Sequence, residues 1–147
     1  MTDTERHSPN DRSDDSDLEG PARLDRNKRI AQDFFDLAFN DKQPMDAAAK
    51  YLGARYIQHN PHAPDGADAF VEFVTAFGAR FPDLTIDFKR VPAEDDLVVV
   101  HSLMRTSRED RGSALVDIVR VRDGRIVEHW DVIQPIPETA ANDNTMF

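Results

Sequence analysis

The sequence has 147 residues, enough for one domain with its own core and too few for two ordinary ones. Its formal net charge is −10 and it shows no basic stripe to neutralise phosphates, so nucleic-acid binding is disfavoured. There is no cysteine, which excludes disulfides, thiolate metal sites and cysteine nucleophiles, and no apolar run approaches the ~20 residues of a membrane-spanning helix.

The charge is uneven. Asp3, Glu5, Asp11, Asp14, Asp15, Asp17 and Glu19 face only Arg6 and Arg12, in a stretch whose one large apolar side chain besides Met1 is Leu18. Such a segment buries too little surface to offset its ordering entropy, so residues 1–22 are expected to be a disordered acidic arm. A polar, acidic start does not read as a secretory or mitochondrial leader, and a cytoplasmic protein is expected. The body is expected over residues 23–137, followed by a tail over 138–147.

Asp25–Phe39 reads as a helix, because Ile30, Phe34, Leu37 and Ala38 recur on one face. Asp25 suits its N-cap. Pro44–Leu52 reads as a second, short helix, with Pro44 in its first turn and Gly53 just past its end. Tyr56–His62 is expected to be extended, since Asn60 precedes Pro61. After a turn at Ala63–Gly66, Phe70, Phe73, Val74 and Phe77 mark a third helix over Ala67–Phe81, which Pro82 stops. Leu84–Val91 alternates as a strand, and Ala93–Asp96 is expected to be an acidic turn.

Leu97–Ile133 reads as three consecutive antiparallel strands. Asp123-Gly124 between β-branched runs is a strong hairpin signal. With those two residues at the centre of the turn, Val121 pairs with Ile126 and Asp117 with Trp130. Around Ser107–Gly112 the simplest closure sets Arg105 opposite Ser113 and His101 opposite Asp117. Cross-strand partners share a face, so His101, Asp117 and Trp130 would form one row in an apolar field. His129 and Asp131 would then point to the other face as interface residues. That face is apolar too, and a second copy of the sheet is its simplest cover, which predicts a homodimer. Helices segregated from an antiparallel meander make an α+β domain.

The order helix, helix, YIQHNP, helix, strand, and above all VDIVRVRDGRIVEHWDVIQPIPE, resembles the SnoaL-like polyketide cyclases of the NTF2-like superfamily, over about residues 25–147. The resemblance implies a cone-shaped α+β barrel with N-terminal helices packed on a curved antiparallel sheet, dimeric through that sheet, with a pocket inside the cone. It also implies intramolecular aldol condensation without a cofactor, with an aspartate as base and a histidine and an asparagine nearby. Asp117, His101 and Asn60 match those positions in turn.

Asp117 is the informative residue, because Asp is depleted from strand centres. Either it is a structural acid bonded to a polar neighbour, or it is a general base whose pKa burial raises. His101 would hydrogen-bond an enolate oxygen or orient that carboxylate. Gln58, His59, Asn60 and Trp130 are the candidate substrate-binding residues. His59 and His62 form an H-x-x-H pair, but a structural Pro61 between them explains the spacing, so no metal is expected. The expected function is a cofactor-free aldol-type cyclase or isomerase acting on a hydrophobic carbonyl compound. The alternatives are a non-catalytic ligand-binding or dimerisation module, or a hydratase or dehydratase using the same pocket.

Overall fold

A computed structural model describes residues 18–147, in which three α-helices pack on one six-stranded sheet. The elements are α1 (Gly20–Phe35), a π-turn (Asp36–Asn40), α2 (Pro44–Tyr51), β1 (Leu52–Gln58), α3 (Ala67–Arg80), β2 (Thr85–Arg90), β3 (Ala93–Glu94), β4 (Leu97–Arg105), β5 (Ser113–Arg122) and β6 (Arg125–Pro135). Most of the expected acidic arm lies outside the described residues. Gly20–Ala22 already belong to α1, where a proline in the first turn sacrifices no needed donor. α1 therefore starts five residues before the expected Asp25 and gives way to the π-turn after Phe35.

The sheet runs β1-β6-β5-β4-β2 and is not closed; β3 adds to β4 through Ala93↔Val98 and Glu94↔Leu97, where only a turn was expected. β1 begins at Leu52 and pairs parallel with β6, so the sheet is not purely antiparallel. Its inner face carries Val98, Val100, Val119, Val121 and Ile126, all buried against Ala31, Phe34, Phe35, Phe70 and Val74 of the helices. The fold is thus α+β, helices on one face of a curved sheet.

Two registers differ from expectation, each by one residue. Between β4 and β5 the pairs are Met104↔Ser113, His101↔Val116 and Val100↔Asp117. The Asp110 carboxylate sets this closure, accepting hydrogen bonds from the Thr106 N–H and hydroxyl (both 2.9 Å) and from the Gly112 N–H (2.9 Å). Gly112 has φ +92°, and a Cβ there would lie 2.5 Å from the Met104 carbonyl oxygen, so only glycine fits.

Between β5 and β6 the turn is as expected, with Arg122↔Arg125 and Val121↔Ile126. The next pair is Arg120↔Glu128, which leaves Val127 as an extra residue in a β-bulge, and Asp117 then faces Asp131 rather than Trp130. β1 jumps at the same place, from Leu52↔Ile126 to Ile57↔Glu128. Gly53 lies against the bulge, where an added Cβ would come within 3.0 Å of Val127 Cγ1. Because side chains alternate, one extra residue exchanges the faces of everything after it. His129 and Asp131 turn inward and Trp130 turns outward.

Candidate active site

Asp117 is central in β5, on the inner face, and only 6% exposed. The two registers bring it His129 and Asp131, not His101 and Trp130. His129 Nε2 lies 2.8 Å from Asp117 Oδ1, and His129 Nδ1 lies 2.7 Å from Gln58 Oε1. The Asn60 amide Nδ2 donates to Asp131 Oδ2 at 2.8 Å. Gln58 and Asn60 thus reach the site from the end of β1 and the residues just beyond it, and both line the cavity.

The other expected site residues lie elsewhere. His101 is on the outer face of β4, where its Nδ1 meets Arg90 Nη1 and its ring stacks on Phe147 at 5.4 Å. Trp130 is on the outer face of β6, stacked at 4.7 Å and 2° on His59, with the Arg120 guanidinium 5.6 Å from its ring centre. His59 Nε2 pairs with Glu128 Oε2 at 2.8 Å, so His59 is turned away from the pocket and does not line it with Gln58 and Asn60. Tyr56, His129 and Asp131 enter the site without having been singled out for it. Gly53 was the one available signal, since an isolated glycine within a strand marks a bulge or a close approach.

The hydrogen bonds set the protonation of His129. Gln58 Oε1 accepts from the Asn60 N–H at 3.0 Å, while Gln58 Nε2 donates to the Tyr56 hydroxyl at 3.2 Å. The amide is therefore oriented, and its oxygen faces Nδ1, which must carry a proton. Nε2 then shares a single further proton with Asp117: the pair is either imidazolium with carboxylate or neutral imidazole with carboxylic acid. Burial pushes Asp117 above the ordinary carboxylate range; the bond to His129 opposes this and the charge of Asp131 adds to it. Burial is also the main reason the Tyr56 phenol is raised, with the charge of Asp117 second. Both effects keep a proton at the polar end of the site.

That end closes a cavity of about 180 Å3 whose walls are aromatic, with Phe35, Phe39, Phe70, Phe73 and Phe77 among them. Phe73 (37% exposed) and Ile133 (47% exposed) mark its mouth. Asp117, His129 and Asp131 offer ligand atoms within 4.8 Å of one another, a spacing that a divalent cation could use. Both His129 nitrogens are already engaged, however, so a cation there would have to displace the bond to Asp117. The arrangement is suited to proton transfer: two adjacent carboxylates, one proton held by a buried imidazole, and apolar walls that exclude water.

The sequence profile of the SnoaL-like domain matches residues 31–129. No curated protein shows a significant sequence match to the chain. Among solved structures, a candidate polyketide cyclase from Acidithiobacillus ferrooxidans superposes with a TM-score of 0.65 at 22% identity, covering 74% of this chain and 87% of that one. TsrD from Streptomyces laurentii gives 0.63 at 18% identity, covering 79% and 91%. AclR, a candidate hydroxylase from Streptomyces galilaeus, gives 0.62 at 20% identity, covering 76% and 90%. At these identities the structures share a fold, and their activities differ by name. With two thirds of its length matched by the domain profile, and a fold shared with these structures, the chain belongs to the SnoaL-like family.

Proposed function

We propose that this protein is an enzyme that moves protons on a hydrophobic carbonyl compound, in an intramolecular aldol-type ring closure or an isomerisation. The observation that carries this reading is the Asp117–His129 pair, buried beside Asp131 at the polar end of an aromatic cavity. Asp131 is the less buried of the two acids, lines the cavity and is oriented by Asn60 through Oδ2, and its Oδ1 has no hydrogen bond among the described residues. Its carboxylate takes the proton next to the carbonyl. The proton held between Asp117 and His129 is then available to the oxygen on which negative charge develops, and the Tyr56 hydroxyl lies at the same end. Asp117 here is the acid of the pair rather than the sole base. The polyketide-cyclase name attached to one structural neighbour supports the class of chemistry.

The test is exchange of the α-protons of a simple ketone in deuterated water, followed by NMR. Indanone serves as the ketone. Asp131→Asn is expected to slow enzyme-dependent exchange by ~100-fold or more, the usual scale for a lost general base. Binding of indanone with no exchange above the buffer rate would make the cavity a binding site without turnover.

A further inference from the structure

The cavity has a neighbour. A second apolar hollow of about 300 Å3 lies between the π-turn, α3 and the start of β2, and it shares Phe39, Val74 and Phe77 with the first. Those three side chains are the partition between the two. Phe39 is held firmly for a residue in a helix end. The π-turn closes with the Asp41 N–H on the Asp36 carbonyl at 3.0 Å. The next side chain, Asn40, clamps β2 from both sides, donating to the Ile86 carbonyl at 2.9 Å and accepting from the Ile86 N–H at 2.7 Å. Lys42 Nζ adds a bond to the Leu84 carbonyl at 2.9 Å. The wide turn thus fixes Phe39 against the sheet, where it stacks on Phe35 at 6.4 Å.

Size and charge then define what fits. A cavity of about 150 Å3 with apolar walls takes up a benzene ring, and ordinary drug-sized sites begin at about 300 Å3. The site here, at about 180 Å3, lies between them. It carries two carboxylates at its polar end, and none of the described residues that line it is Lys or Arg. A ligand carboxylate would face two carboxylates, with neither Lys nor Arg among the described lining residues to pair with it.

We propose that the ligand of this site is an uncharged carbonyl compound of one ring or two fused rings, about ten non-hydrogen atoms, and that Phe39, backed by Phe77, is the partition that sets the limit. The carbonyl part rests on the proposed proton transfer; the limits of size and charge rest on the walls alone. A polycyclic substrate of three or more rings does not fit while the partition stands.

The test measures binding and exchange separately, on the full chain. Chemical-shift titration with three probes reads binding: indanone, a tricyclic dihydrophenanthrenone, and an indanone bearing a carboxylate. The protein is expected to bind indanone at least ~10-fold more tightly than either of the others, a difference of about 1.4 kcal/mol. Phe39→Ala joins the two hollows and is expected to bring the tricyclic ketone to within ~2-fold of indanone, leaving the carboxylate excluded. Phe77→Ala approaches the same partition from α3, where the ring is only half-buried, and serves if the first variant does not fold. Equal binding of the bicyclic and tricyclic ketones by the parent, tight binding of the carboxylate, or no binding of indanone would each overturn the proposal. Size-selective binding without α-proton exchange would instead overturn the enzymatic reading and leave the size limit standing.

Discussion

The two faces of the β4–β5–β6 meander hold similar residues in different surroundings. Inside, His129 is 6% exposed, shares a proton with a buried acid and has its tautomer set by Gln58. Outside, His59 has a 42% exposed side chain and pairs with Glu128, while His101 meets Arg90 and Phe147. The carboxylates diverge in the same way. Asp117 is raised by burial, whereas Glu128 is lowered, first by its bond to His59 and further by Arg120. An imidazole beside a carboxylate is thus sealed from water on one face and partly solvated on the other.

The sharpest way to break this comparison is to remove one histidine from each face. His129→Gln is expected to reduce α-proton exchange by ~100-fold, since it removes the imidazole that shares the proton with Asp117. His101→Ala is expected to leave exchange within ~2-fold of the parent. The reverse order, with His101 the costly residue, would return the site to the other face of β4 and refute the assignment.

The outer face has a consequence of its own. Val99, Leu103, Val116 and Ile118 lie on it in part exposed, and Val132 is 69% exposed. A second copy of the same sheet is the cover we propose. Sedimentation at micromolar concentration should give about twice the monomer mass, and Val132→Lys should shift the protein towards the monomer by placing a charge in the contact. A parent protein that sediments as a monomer removes this proposal.

Much of the fold is legible in the residues. Pro44 and Gly53 located α2 and helix periodicity located α3, each to within a residue or two, the alternation of Leu84–Val91 located β2, and Asp123-Gly124 placed the last hairpin with its first two pairs correct. Asp117 stands out as an acid in a strand centre and is indeed on the buried face. What was not legible is which residues accompany it. Alternation propagates a register faithfully, so an unseen bulge at Val127 reverses every later side chain, and the loop closed by Asp110 moves His101 by one step. The bulge lies against Gly53, which is distant in sequence, and the loop is closed by Asp110 on Thr106 and Gly112, polar bonds that strand alternation does not encode. Local pattern carries no trace of either except the glycines themselves.

The finest distinction concerns where the proton of the buried pair resides, and Asp117→Asn resolves it. Because folding raises the pKa of Asp117, its contribution to stability is full below the unfolded value of about 3.9 and is lost as pH rises through the folded value. Asparagine does not titrate, and its amide can donate to Nε2 as a protonated Asp117 does, so the bond to His129 survives in the neutral form. The variant should therefore melt close to the parent at acid pH and above it as pH rises towards neutrality. A gain on the order of 1 kcal/mol corresponds to ~4 °C for a domain of this size. The opposite sign would follow from a structural ion pair of imidazolium with carboxylate. Removing the carboxylate then orphans a buried cation, and the variant should lose ~1–3 kcal/mol at neutral pH. Melting curves of the two proteins between acid and neutral pH, with His129 ring nitrogen shifts followed by NMR in parallel, separate these cases. A variant that melts below the parent across the whole range would place the proton on His129 and leave Asp117 a charged anchor rather than the acid of the pair.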